Sequence, residues 1–345
     1  MKRLLKSAAR TVADGLARAL GPGESPETEQ GRALVAELRQ SIASLPPLPA
    51  AAPGEAEDQW IVNLRDLRRM VQDHDPRSFL QWDVIRRTMF ISNSAIALNE
   101  WREIRNSADR DRWIATLRED PVGYPMPFLF SPRTSGNQIN HTYHLWRFHQ
   151  HTHCDPAAAR LIFEIGGGYG SLCRQVHRMG FKGRYVIFDL PEFACLQRYF
   201  FKSIGLQILT ADQWLERGHG ILLVTDVAEL QRVLPQAATA AAANAAPRLV
   251  IATWSLSEMP APLRERLLPL VDDFEWFLIG YQVRFGSVEN ADFFSSWADA
   301  RANRIRWYNQ PISFMPHNFY LLGAAEADRQ RRTAAVAATG AATHP

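Results

Sequence analysis

The sequence predicts a doubly wound α/β fold on a mostly parallel sheet, preceded by a helical N-terminal region. Three observations predict it. Short apolar runs recur through the second half with helical stretches between them. A glycine cluster follows the first run directly, and an aspartate closes the second.

The runs are LIFEI (161–165), RYVIFDL (184–190), ILLVTD (221–226), RLVIATW (248–254) and WFLIGYQ (276–282). They lack polar alternation, as parallel strands covered on both faces do. Between the first two, Leu172, Val176 and Met179 recur at helical spacing, and Gly180 supplies the stop. After the second, Pro191 suits a first helical position, Gly205 suits the end, and Leu196 and Phe200 begin its buried side. The alanine run 237–246 lies between strand-like segments and reads as a connecting helix, because alanine is the best helix former. WADARANRI then reads as a helix, and RIRWYNQPISF and NFYLLGA as two strands joined through Pro316-His317. That brings the sheet to seven strands with a C-terminal antiparallel hairpin.

Ahead of the sheet, residues 58–130 read mainly helical, for example NLRDLRRMVQ and DVIRRTMFISNSAIALNEWREI. Residues 21–57 read as a Pro- and Gly-rich linker around one helical piece, 31–44. The start, MKRLLKSAARTVADGLARAL, sets Leu5, Ala8, Val12, Leu16 and Ala19 on one helical stripe with five basic residues and one acid. It reads either as a basic helix making peripheral contact with an anionic membrane through residues 1–20, or as a terminal helix packing on its own chain. Residues 331–345 are rich in Ala and Thr without an apolar period and read as a disordered tail. The expected segments are therefore 1–57, 58–157 (a helical substrate or lid region), 158–325 (the sheet) and 326–345.

Composition bounds the function. The 345 residues are 46% hydrophobic and 22% charged with a formal net charge of +3, which calls for no nucleic-acid partner. Three cysteines, Cys154, Cys173 and Cys195, form no CxxC pair and point to a reducing, cytoplasmic setting. No apolar run approaches the ~18 residues of a spanning helix, so no transmembrane segment is expected.

The chemistry is concentrated after the first strand, in Glu164-Ile165-Gly166-Gly167-Gly168-Tyr169-Gly170. Glycine permits the sharp turn and a close ligand, and the next helix start offers free N–H groups. Asp189, nineteen residues past Gly170, ends the second strand, where an acid accepts hydrogen bonds from a ribose. A dinucleotide fingerprint would need glycine at the sixth position from Gly166, and Ser171 stands there.

This E-x-G-x-G-x-G form, with the terminal hairpin, resembles the Rossmann-like class I methyltransferase fold, whose enzymes use S-adenosyl-L-methionine (SAM). More narrowly, the chain is similar to the sugar O-methyltransferase family of bacteria over roughly residues 75 to 325. SPRTSGNQINHTYHLWRF (131–148), LIFEIGGGYGSLCRQV, YVIFDLPEF and TWSLSEMP (253–260) carry that likeness. It implies that Glu164, Gly166, Gly168 and Gly170 hold the methionine end of SAM, that Asp189 holds the ribose and that Leu190 packs on the adenine. Trp254 and Ser255 would lie near the methyl group. The acceptor would be a sugar hydroxyl of a glycan or a nucleotide-linked precursor. The N-terminal extension of about 55 residues is not explained by the family pattern.

Several residues are candidates for catalysis. His141 and His144 share a face if their segment is helical, and a neutral imidazole accepts a hydroxyl proton. His149, His151 and His153 read as solvated linker residues. Glu258 is the rival base, or a metal ligand, or simply an acid at a helix start. Asp226 is a candidate for the adenine amine or for sharing a Mg²⁺ with Glu258; Asp212 is the alternative adenine contact. The segment 131–140, with Ser135 and Asn137, reads as a loop that either binds a sugar or is a plain polar turn, and Tyr143 joins these as a substrate-binding candidate. The early tryptophans suit sugar stacking or core packing. Two other classes share the pattern: an NAD-dependent oxidoreductase, and a non-catalytic SAM-fold binding protein. The oligomeric state is left open.

Overall fold

The apolar runs of the second half become strands of one seven-stranded sheet in a computed structural model of the chain. It describes residues 2–21, 23, 26–50, 54–89, 91–242 and 247–325. The chain divides into two units. The first comprises Met1–His144, Gly167–Met179 and Asp189–Leu209; the second comprises Leu145–Gly166, Gly180–Phe188 and Thr210–Pro345.

The first unit is largely helical. It holds α1 (Lys2–Leu20), α2 (Glu29–Ala43), α3 (Glu55–Asp73), α4 (Asp83–Thr88), α5 (Ala95–Asn106) and α6 (Arg110–Thr116). A small antiparallel pair, β1 (Pro127–Phe128) and β2 (Ser131–Ser135), leads into α7 (Gly136–Thr152), whose residues from Leu145 on belong to the second unit. The helices α8 (Ser171–Arg178) and α9 (Pro191–Ser203) complete it. Two departures from the sequence reading stand out. The segment read as one helix from Asp83 is broken between Thr88 and Ala95, where the Ser94 hydroxyl accepts from the Ala97 N–H and starts α5 afresh. The presumed linker holds an unforeseen helix start at Glu55, and its helical piece begins at Glu29, capped by Thr28.

The core of this unit is aromatic. Phe79 meets Trp82, Tyr169, Tyr199 and Phe200 edge-on, with centroids 5.5–6.4 Å apart. Trp60 packs on Phe193 and Trp101 on Phe128, so these tryptophans serve packing. The helix α1 meets the unit through Asp14, Ala17 and Arg18.

The second unit carries the sheet: β3 (Leu161–Ile165), β4 (Arg184–Phe188), β5 (Gly220–Val224), β6 (Arg248–Thr253), β7 (Trp276–Gln282), β10 (Ile305–Pro311) and β11 (Asn318–Ala325). Their spatial order is β10-β11-β7-β6-β3-β4-β5. The five strands β3 to β7 pair in parallel, while β11 pairs antiparallel with both β7 and β10. This is the sheet expected of the class I methyltransferase fold. Between the strands run α10 (Ala211–Arg217), α11 (Val227–Ala242), α12 (Ser255–Glu258), α13 (Ala261–Leu267) and α14 (Ala291–Asp299), with a short ribbon of β8 (Arg284–Phe285) and β9 (Val288–Glu289). The strand interiors are apolar: every residue of β3, Glu164 included, is buried. The alanine run forms the end of α11 as far as Ala242; residues 243–246 and the tail 326–345 lie outside the described residues.

The polar stretch 131–140 is not a loop, since Ser131–Ser135 is β2 and α7 begins at Gly136. His149 and His151 are not linker residues either. They belong to the last turn of α7, where His149 bonds the Cys154 carbonyl (3.0 Å) and His151 faces Tyr308 (5.7 Å). No helix among the described residues is long and apolar enough to cross a membrane.

Candidate functional site

The glycine turn divides between the units, and each part is built differently. In the sheet unit, Gly166 has φ +71° and donates its N–H to the Phe188 carbonyl at 2.8 Å. A Cβ at Gly166 would lie 2.3 Å from Ser255 Cβ, and the Ser255 hydroxyl donates to the Ile165 carbonyl. Glycine here lets the carboxyl end of β6 close against that of β3. Glu164 is 2% exposed, and its carboxylate accepts from the Tyr185 hydroxyl at 2.8 Å.

Trp254 follows β6 with φ +66°, a left-handed backbone that bulky residues avoid. Such a conformation costs on the order of 1–3 kcal/mol and persists only where surroundings enforce it. Two bonds do so: its N–H donates to the Gly280 carbonyl (2.7 Å) and its indole N–H to Asn318 Oδ1 (2.6 Å). Strain therefore sits at the carboxyl edge of the sheet, where open α/β sheets bind ligands. Glu258 ends the short α12 that Trp254 starts, with the Gln282 amide 3.5 Å from its carboxylate.

Asp226 is exposed and caps α11 by accepting from the Glu229 N–H at 2.9 Å. Asp212 sits on α10 and pairs loosely with Arg232 at 3.8 Å. Among the described residues, no three His, Cys, Asp or Glu side chains gather as a metal site, and neither Asp226 nor Glu258 belongs to such a group.

In the helical unit, Gly168 (φ +56°) donates its N–H to Asp189 Oδ2 at 3.0 Å. The Leu190 N–H donates to Asp189 Oδ1, and the Gln197 amide donates to both Asp189 Oδ2 and the Gly168 carbonyl, each at 2.8 Å. Burial pushes the Asp189 carboxyl up to about 7, against the pull of these donors. Beside it, Leu190 is 38% exposed, an apolar side chain left open at the end of β4. Gly170 (φ +97°) has a packing reason to be glycine: a Cβ there would strike Phe201 of α9 at 2.4 Å.

The two candidate imidazoles do share one face of α7, with ring centroids 6.0 Å apart. Burial, assisted by the Arg174 charge, pushes His141 down to about 3; burial then His141 holds His144 well below its ordinary value. Both are neutral, and both resist taking a proton. The three substrate candidates are buried and used internally. Ser135 donates to Glu119, the Asn137 amide to the Tyr169 hydroxyl (2.5 Å), and the Tyr143 hydroxyl to Glu103 (2.7 Å).

Sequence reasoning missed a buried polar cluster in this unit. Arg174 of α8, 2% exposed, pairs with Glu119 (2.8 Å) and Asp120 (2.5 Å) and donates to Gln138. The Gln175 amide donates to Thr116 (2.6 Å) and Thr142 (2.7 Å). Glu100 of α5 accepts from Asn140 at 2.7 Å and is pushed up to about 8 by burial. One signal was present: α7, GNQINHTYHLWRFHQHT, has many hydrogen-bonding residues but no acid or lysine, unlike a solvated helix.

No protein-family model matches the chain, and no curated protein matches it. Similar solved structures include the mitomycin 7-O-methyltransferase MmcR, 15% identical over 92% of this chain and 99% of that one, with a TM-score of 0.34. Magnesium protoporphyrin IX methyltransferase (ChlM) from Synechocystis PCC 6803 with bound SAM is 14% identical over 68% of this chain and 100% of that one, with a TM-score of 0.30. Precorrin-6y C5,15-methyltransferase from Geobacter metallireducens GS-15 is 12% identical over 48% and 79%, at 0.28.

Proposed function

We propose that this protein is a SAM-dependent O-methyltransferase acting on a sugar hydroxyl. The observation that carries the cofactor is the Asp189 carboxylate at the end of β4, tied to the glycine turn through Gly168 and Gln197, with exposed Leu190 next to it. SAM suits this donor set. Asp189 would accept from the ribose hydroxyls, Leu190 would cover the adenine, and the turn's backbone would take the methionine end. Bound there, SAM supplies a methyl group on a sulfonium that is its own leaving group.

The chain's own task is then to orient the acceptor and remove its proton, without a covalent enzyme intermediate. Glu258 is the better base. It follows the strained Trp254 at the carboxyl edge of the sheet, whereas burial makes His141 and His144 poor proton acceptors. The sugar acceptor rests on the likeness of residues 131–148 and 253–260 to the sugar O-methyltransferases, together with the near-balanced charge.

Thermal shift tests the cofactor. S-adenosylhomocysteine should stabilise the protein by about 2.7 kcal/mol at a hundredfold excess over its Kd. NAD should not, and Asp189→Ala should abolish the shift. Because the ionised Asp189 accepts the ribose bonds, affinity should rise as pH passes upward through about 7. Stabilisation by NAD alone would sink the reading. Transfer of a tritiated methyl group into glycan fractions tests the base. Glu258→Gln should lose about a hundredfold or more in rate with cofactor binding intact. If His144→Ala loses it instead and Glu258→Gln does not, the base is assigned wrongly.

A further inference from the structure

Over residues 11–20, helix α1 is docked with large apolar side chains outward; Leu5 and Ala8 of the expected stripe lie among residues whose side chains are not described. Of the seven exposed large apolar side chains among the described residues, three lie on it: Val12 (62% exposed), Leu16 (54%) and Leu20 (66%). They recur at i, i+4 and i+8 and so share one face. The opposite face is fixed to the helical unit. Asp14 accepts from the Asn93 amide at 2.8 Å and pairs with Arg86 at 3.5 Å. Ala17 is fully buried, and the Arg18 guanidinium donates to the Pro125 carbonyl (3.0 Å) and lies 3.7 Å over the Tyr124 ring. Gly21, just past the helix, admits Pro127 where a Cβ would clash at 2.2 Å.

This docking has an electrostatic consequence. Asp14 is the only acid of residues 1–20, and it is turned inward with its charge answered. Lys2, Arg3, Lys6 and Arg10 remain on the same helix with no acid among them. An exposed apolar face on a helix whose sequence holds five basic residues against one acid, that acid turned inward, matches an anionic lipid surface, where acyl chains receive the apolar face and headgroups the cations. A second copy of the chain fits less well, since a two-fold contact would set the basic helices against each other.

We infer that α1 is a peripheral membrane anchor, seating Val12, Leu16 and Leu20 in an anionic bilayer. The inference is independent of the catalytic reading. Full-length protein should co-sediment with vesicles of phosphatidylcholine and phosphatidylglycerol, at least about tenfold more than with phosphatidylcholine alone, and high salt should reverse this. Val12→Glu with Leu16→Glu should abolish binding. Lys6→Ser with Arg10→Ser should weaken it only on the anionic vesicles, with the stripe intact. The thermal unfolding midpoint of each variant, measured without ligand, reports folding separately from vesicle binding. Wild-type protein left in the supernatant with both vesicles overturns the proposal. So does a wild-type dimer that the double glutamate variant converts to monomer without vesicle binding, which would make the stripe a contact between copies.

Discussion

The two units bury different things. In the sheet unit, Ile162, Phe163, Ile187, Ile251 and Leu278 are shielded apolar side chains on neighbouring strands. In the helical unit, beside the aromatic core around Phe79, a polar cluster of Gln138, Thr142, Arg174 and Gln175 is equally shielded, and each depends on a partner from another segment. An apolar core is held by non-directional burial and forgives small changes of shape. A polar core is held by pairing, and a missing partner exposes the full desolvation cost of the one left behind. The helical unit should therefore be the more brittle of the two under conservative substitution.

The sharpest way to break that contrast is Arg174→Met. It leaves Glu119 and Asp120 without their buried cation and should cost about 3–5 kcal/mol in urea unfolding. Adding Glu119→Gln and Asp120→Asn should return part of the loss. A cost below about 1 kcal/mol would mean that the cluster is not what holds this unit.

Next in size is Glu100→Gln. The acid has its folded value raised from 4.5 to about 8, so the native state binds more protons than the unfolded chain across that window. Stability then falls as pH rises from about 4.5 to about 8 and is flat beyond. Glutamine removes the fall. The variant should match wild type in strongly acid solution and exceed it above pH 8 by on the order of a few kcal/mol. Unfolding midpoints at about pH 5 and about pH 9 would check this, and parallel pH profiles for the two proteins would refute it.

The smallest test compares two near-isosteric exchanges. Thr142→Val removes an acceptor of the Gln175 amide and should cost about 2 kcal/mol. Ile162→Val removes one methylene from β3 and should cost about 1 kcal/mol. Equal costs would erase the distinction between the cores.

The same contrast explains what could be read in advance. Sheet, hairpin and glycine turn were legible because a parallel strand announces itself through consecutive apolar residues, as LIFEI and WFLIGYQ do. The position of Asp189 at the end of β4 was legible from the apolar run that precedes it. The polar cluster was not, because Thr116, Glu119 and Asp120 stand more than fifty residues before Arg174 and Gln175, and local periodicity cannot pair them. The face by which α1 docks was hidden for a related reason: the apolar stripe is evident in sequence, but the salt bridge that turns it outward joins Asp14 to Arg86. The packing of Phe201 against Gly170 was not legible either, since a glycine that admits a side chain and one that faces a ligand look alike as letters.

That contact between Gly170 and Phe201 bears on how the turn responds to an arriving ligand. With Gln197 bridging Gly168 and Asp189, it joins the turn to α9 at two levels of the helix. Such a turn behaves less like a flap that folds over its guest than like a machined seat, already set before anything is placed in it. Little ordering is left to be done on binding, and affinity there should reflect the contacts made rather than the entropy of assembling them.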